Sequence, residues 1–82
     1  MEEKVIVYTT NDCIECTMVK SVLKEEGIPF ETRDISVDAG FQKEVERYGY
    51  LGVPVTVFSG KAVKGFTNDL KEIIALAKTK AI

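Results

Sequence analysis

Histidine is absent from all 82 residues. That absence removes Ser/His and Cys/His catalysis, the commonest general base and most zinc sites together. No basic block is present either. The 11 basic and 13 acidic side chains leave a net charge of −2 and are scattered along the chain, so nucleic acid is not expected as a partner. No apolar run approaches the ~20 residues that cross a bilayer, and no membrane partner is expected. The start, Met1-Glu2-Glu3-Lys4, lacks the basic-then-apolar order of a secretory signal, so the expected compartment is the cytoplasm. Cysteine is scarce: only Cys13 and Cys16 occur. A pair this close in sequence closes a loop too small to staple a fold, and a reducing cytosol disfavours a structural disulfide.

What is present suits one small globular domain spanning residues 1–82, with an ordinary hydrophobic share of 45%. Lys4-Val5-Ile6-Val7-Tyr8 is a β-branched and aromatic run that reads as a strand buried on both faces. A polar turn, Thr9 to Asp12, follows. Asp12 is placed to cap a helix, with Glu15 completing a capping box. Met18, Val19, Val22 and Leu23 form the core-facing stripe of that helix, and Met18 reads as packing. Gly27 ends the helix. Phe30 to Ile35 reads as a strand. Ser36 or Asp38 then opens a second helix carrying Phe41, Val45 and Tyr48, closed by Gly49. Val53 to Phe58 is strongly β, with Pro54 confined to its first positions because it has no N–H for the ladder. Ser59-Gly60 signals a hairpin, with Lys61 to Lys64 as the return strand. Thr67 or Asn68 caps a last helix with Leu70, Ile73, Ile74 and Ala77 on one stripe. The fold class is therefore α/β in the order βαβαββα. The first two strands are parallel through a right-handed crossover, in a four-stranded mixed sheet with three helices.

In open α/β sheets chemistry collects at the carboxyl ends of strands, where Cys13-Ile14-Glu15-Cys16 lies. A helix start offers unpaired N–H groups and partial positive charge, which stabilise a thiolate. Cys13, on the exposed rim, is expected to attack a substrate disulfide. Cys16, one turn in and shielded, is expected to resolve the mixed disulfide. Asp12 and Glu15 place two carboxylates beside Cys13 and oppose the helix dipole, so the nucleophile is expected to be acidified only toward neutrality. Lys20 is too distant along the helix to offset them. Zinc would need four ligands; one chain supplies two cysteines, so a metal site requires a dimer and no metal is assigned to the single chain. Val53-Pro54 opens the third strand. With a cis bond there, the backbone of Val53 pairs with an extended substrate lying across the cysteines; with a trans bond it merely starts a strand. The order of elements favours cis. Phe66 reads equally as a partner contact and as a core residue, and Tyr50 as packing.

Three segments carry a resemblance: Val7-Tyr8-Thr9-Thr10-Asn11-Asp12-Cys13-Ile14-Glu15-Cys16, Gly52-Val53-Pro54-Val55 and Gly65-Phe66-Thr67-Asn68-Asp69. Together they resemble the glutaredoxin family and, within it, the NrdH-redoxins, electron donors of class Ib ribonucleotide reductase. The resemblance spans nearly the whole chain. It implies a thioredoxin fold with strand order 2-1-3-4, a cis Pro54, Cys13 as nucleophile and Cys16 as resolver. It also implies a substrate site at Val53, Pro54, Gly65, Phe66, Asn68 and Asp69, with no bound cofactor and a monomeric protein. Two groups differ in their reductant. Typical glutaredoxins use glutathione, held through a Pro-Tyr insert, a preceding basic residue and a double glycine. Here those positions are Ile14-Glu15, Thr10 and Lys64-Gly65. NrdH-redoxins are recharged by thioredoxin reductase with NADPH, and their Trp-Ser-Gly-Phe-Arg-Pro segment stands here as Val63-Lys64-Gly65-Phe66-Thr67-Asn68. The resemblance thus implies a dithiol–disulfide oxidoreductase acting on protein disulfides, ribonucleotide reductase among them. The alternatives are a glutathione-dependent glutaredoxin and a dimeric metal or iron–sulfur carrier using Cys13.

Overall fold

The computed structural model describes residues 4–80. Met1-Glu2-Glu3, read above against a secretory signal, lies outside them. The elements run β1 (Val5–Thr9), α1 (Ile14–Glu25), β2 (Phe30–Asp34), α2 (Ala39–Arg47), β3 (Val55–Phe58), β4 (Lys61–Lys64) and α3 (Leu70–Lys80). They form one sheet in the order β2-β1-β3-β4. β1 pairs parallel with β2 and antiparallel with β3, and β3 pairs antiparallel with β4. This is the thioredoxin fold expected from the resemblance. Among the described residues, no helix is long and apolar enough to cross a membrane.

The pattern of each strand follows from its place. β1 and β3 are central and covered on both faces, so they carry near-continuous apolar residues. β2 and β4 are edges and carry Glu31, Arg33, Lys61 and Lys64, charges that discourage edge-to-edge pairing. The hairpin between β3 and β4 turns through Ser59 (φ 52) and Gly60 (φ 81), the two left-handed residues that match strand twist. On one face of the sheet α1 and α3 bury Val19, Leu23, Leu70, Ile73 and Ala77 against Val5, Val7, Phe58 and Val63. On the other, α2 brings Val45 and Phe41 against Tyr8, Val55 and Val57. Each large aliphatic side chain so buried contributes roughly 1.5–3 kcal/mol.

Three sequence expectations are corrected. Helix α1 is capped by Cys13, not Asp12: the Cys13 backbone is extended (φ −112, ψ 106) and its sulfur accepts the Cys16 N–H. Asp12 instead takes a left-handed turn conformation (φ 56), which its short polar side chain tolerates, and Glu15 closes no capping box. Met18 does not pack; it is 40% exposed, because the buried line of α1 runs through Cys16, Val19 and Leu23. Helix α3 begins at Leu70, later than a cap at Thr67 or Asn68 would set it. The carbonyls of Thr67, Asn68 and Asp69 accept the N–H groups of Leu70, Lys71 and Glu72, a tight i→i+3 entry turn. At α2 the cap is Asp38, one of the two expected residues.

A polar clamp ties α2 to the sheet. The Tyr8 hydroxyl donates to Glu44 Oε1 at 2.6 Å, and Arg33 Nη1 donates to the same oxygen at 2.6 Å. Arg33 Nε pairs with Glu31, and its guanidinium lies 5.8 Å from the Tyr8 ring centroid and 5.7 Å from that of Phe41. Burial, then the hydrogen bond and negative charge of Glu44, push the Tyr8 hydroxyl from its ordinary 10.0 up to about 12, against the pull of Arg33. The raised value means that Tyr8 stabilises the fold fully below about pH 10 and loses that contribution as pH climbs toward about 12. Chemical denaturation across this range should therefore show wild type losing its advantage over Tyr8→Phe; a constant gap between the two would contradict the clamp. The hydrogen bonds from Tyr8 and then Arg33 hold Glu44 below the usual carboxylate range, so its contribution is lost only on acidification.

Candidate active site

The chain leaves β1 at Thr9 and turns through Asn11 and Asp12 before entering α1 at Ile14. The left-handed Asp12 swings the next residue into the cap position. Cys13 Sγ therefore lies 3.1 Å from the Cys16 N–H, where a Ser or Asp oxygen normally caps. The Cys13 carbonyl accepts the Thr17 N–H at 3.2 Å and the Thr17 hydroxyl at 3.3 Å. Cys13 and Cys16 are joined as a disulfide with Cα atoms 5.2 Å apart. Their environments differ as the helix register requires. Cys13 is half-buried on the rim, whereas Cys16 is 1% exposed, at the sheet end of the line that continues through Val19 and Leu23.

The two further segments singled out in the sequence meet beside the pair. The Val53-Pro54 bond is cis. Pro54 is buried, and its carbonyl accepts the Gly65 N–H at 2.8 Å. Gly65 is buried with φ 82, a conformation that suits glycine. The Glu15 carboxylate reaches across to it: a Cβ on Gly65 would lie 3.3 Å from Glu15 Oε2. Lys64 similarly lies along Gly52, with Nζ 3.9 Å from where a Cβ would stand. Glu15, Pro54 and Gly65 are thus brought together. Phe66 belongs to neither core cluster and is 39% exposed. With Asn68 it lines a groove between α1 and α3, beside Val22, Leu70 and Ile74. Asp69 is exposed at the entry to α3. Tyr50 packs as expected, and its hydroxyl donates to the Ala62 carbonyl at 3.2 Å.

Lys20 faces elsewhere. Its charge acts on Asp34, whose carboxyl is held low first by the Ser36 hydroxyl, then by the Ser36 N–H and by Lys20. Ser36 also accepts from the Asn11 side chain at 3.5 Å, a long contact linking the loop before Cys13 to the loop after β2. The sequence reading did not single out two exposed apolar side chains near the predicted segments. Ile14, between the cysteines, is 79% exposed, and Leu51, before Gly52, is 85% exposed. The signal was there: neither residue falls on a periodic apolar stripe. Among the described residues, no group of three or more His, Cys, Asp or Glu is arranged to hold a metal ion.

Comparison with known proteins agrees with this geometry. The glutaredoxin family model matches residues 5–63. The glutaredoxin-like protein NrdH of Lactococcus lactis subsp. lactis is 36% identical over 62 residues, which is 76% of this chain and 86% of that one. Its Escherichia coli K12 counterpart is 24% identical over 67 residues, 82% of this chain and 83% of that one. Among solved structures, the thioredoxin-like protein BC3987 aligns with a TM-score of 0.78 at 30% identity, over 87% of this chain and 99% of its own. The NrdH-redoxin of Escherichia coli reaches 0.77 at 23% identity, over 85% and 92%, a likeness of fold. The chain belongs to the glutaredoxin family, among its NrdH-redoxins, and its Cys-x-x-Cys pair is that of a thiol–disulfide oxidoreductase.

Proposed function

We propose that the chain is a cytoplasmic, monomeric electron carrier that reduces protein disulfides, ribonucleotide reductase among them, and is recharged by thioredoxin reductase with NADPH. The observation that carries this reading is the asymmetry of the pair: Cys13 Sγ caps α1 on the rim while Cys16 is 1% exposed beneath it. In the reduced protein the Cys13 thiolate attacks one sulfur of the substrate disulfide and releases the other as a thiolate. Cys16, once deprotonated, attacks the Cys13 sulfur. The second substrate sulfur leaves, and two electrons have passed to the substrate. The Cys16 N–H and the positive end of α1 favour charge on Cys13 Sγ. The backbone of Val53 docks an extended substrate segment in strand fashion, with Pro54 and Gly65 beside it, Phe66 and Asn68 in the adjoining groove between α1 and α3, and Asp69 at the entry to α3.

The choice of reductant rests on Glu15. Its carboxylate lies over Gly65, where the resemblance puts the glutathione-holding residues, and an anionic tripeptide is repelled there. The Escherichia coli NrdH-redoxin, a fold neighbour, is described as having a thioredoxin-like activity profile. A parallel assay tests the reading: insulin reduction driven by NADPH and thioredoxin reductase against reduction driven by glutathione. Turnover with the reductase and little with glutathione is expected; turnover with glutathione alone overturns it. Glu15→Gln should raise the rate with glutathione about twofold to fivefold, the worth of one exposed charge contact, and an unchanged rate would remove Glu15 from the argument.

A further inference from the structure

Thr9 and Thr56 are the buried polar side chains among the described residues. The Thr9 hydroxyl has the Thr10 carbonyl at 3.5 Å. Thr56 is 0% exposed, and its hydroxyl is the one buried side-chain polar atom there without a hydrogen-bond partner. An orphaned buried hydroxyl is costly, and valine would fill the same β-branched shape in a strand without that cost. A hydroxyl kept in such a place points to a partner that the disulfide state withholds.

The topology indicates which partner. Thr56 pairs in register with Val7 on β1 and Val63 on β4, both members of the core beneath α1 and α3. Its side chain shares that face. Pro54, two residues earlier, belongs to the same side of the chain at the end of the sheet where β1 stops and α1 starts. Helix α1 runs back over this face, and its buried line begins with Cys16. Cys16 is thus the first buried residue of α1, at the same end of the sheet as the start of β3.

We propose that the Thr56 hydroxyl is a redox-linked hydrogen-bonding group, unpaired while Cys13–Cys16 is closed and bonded to the Cys16 sulfur once reduction releases it. This rests on the dithiol cycle proposed above. An external dithiol supplies two electrons and two protons and becomes a disulfide, while the Cys13–Cys16 bond breaks to give two thiols. The freed Cys16 sulfur is sealed from solvent. As a thiol it needs an acceptor, and as the resolving thiolate it needs a donor. A rotating hydroxyl serves as either. A hydrogen bond made in the dithiol form alone draws the couple toward that form, by about tenfold for one bond of ordinary strength.

The test is equilibration of the full chain in buffers of defined reduced-to-oxidised dithiothreitol ratio. The oxidised fraction is read by alkylation and mass spectrometry. Thr56→Val and Thr56→Ala are expected to shift the equilibrium about tenfold toward the disulfide, equivalent to about 30 mV. Thr56→Ser, which keeps the hydroxyl, should stay within about twofold of wild type. Thr56→Val should also raise the melting temperature of the oxidised form and not of the reduced form. A potential indifferent to Thr56→Val, or equal thermal gains in both forms, overturns the inference while leaving the carrier intact. A wild-type protein whose cysteines never equilibrate with the dithiol overturns the carrier reading and the inference with it.

Discussion

Cys13→Ser should leave disulfide reduction at background, a loss of about three orders of magnitude or more, because a serine hydroxyl supplies no anionic sulfur at neutral pH. The fold should survive. A serine oxygen caps a helix at least as well as sulfur does, so the Cys16 N–H keeps its partner. Cys16→Ser should fail differently. The rim sulfur remains, still attacks, and then waits for a resolver that is no longer there. A mixed disulfide between Cys13 and the substrate should therefore accumulate and be visible as an intact-mass adduct. Retention of more than about a tenth of wild-type rate by Cys13→Ser, or an adduct on Cys16 in wild type, would reverse the roles assigned here.

Leu23→Ala should cost about 2–5 kcal/mol of folding stability. Leu23 is 0% exposed and anchors α1 in the core that holds Val5, Val7, Ile73 and Val63. Truncation removes burial and leaves a cavity that neighbours from three elements close only in part. In a chain of 82 residues, with net stability of order 5–15 kcal/mol, this is a large fraction. The melting temperature should fall by more than about 8 °C. Urea titration should show a lower midpoint with an unchanged slope. Because Cys16 sits on the same buried line as Leu23, alkylation of reduced Cys16 should quicken as α1 loosens. A loss under about 1 kcal/mol would mean that α1 is held elsewhere.

Element order and strand type were legible because they rest on local rules. Central strands need apolar residues on both faces, and Val5–Tyr8 and Val55–Phe58 supply them. Gly27 (φ 72) and Gly49 (φ 90) stand just past the ends of α1 and α2, as backbone that curls left-handed requires. The Cys13–Cys16 pair was legible for the same reason: a polar turn between a strand and a helix puts its first cysteine on the rim and its second one turn inward.

The misreadings arose where two local rules competed. Asp12 suits both a cap and a left-handed turn residue, and the path from β1 into α1 assigns it the turn. Met18 adjoins Val19 in sequence, but successive helical residues point about 100° apart, and the sheet covers only the arc through Cys16, Val19 and Leu23. Composition carried no trace of such choices.

By itself the sequence determined the βαβαββα order, the buried central strands, the glycine-terminated helices and a cysteine pair at a helix start. Each depends on residues within a turn or a strand of one another. Only the tertiary structure decided what depends on distant segments meeting. It laid Glu15 over Gly65, joined Gly65 to Pro54, brought Tyr8 and Arg33 onto one oxygen of Glu44, and closed the core over Thr56 without giving its hydroxyl a partner. Those contacts bridge separations of up to tens of residues, and register and packing alone select them.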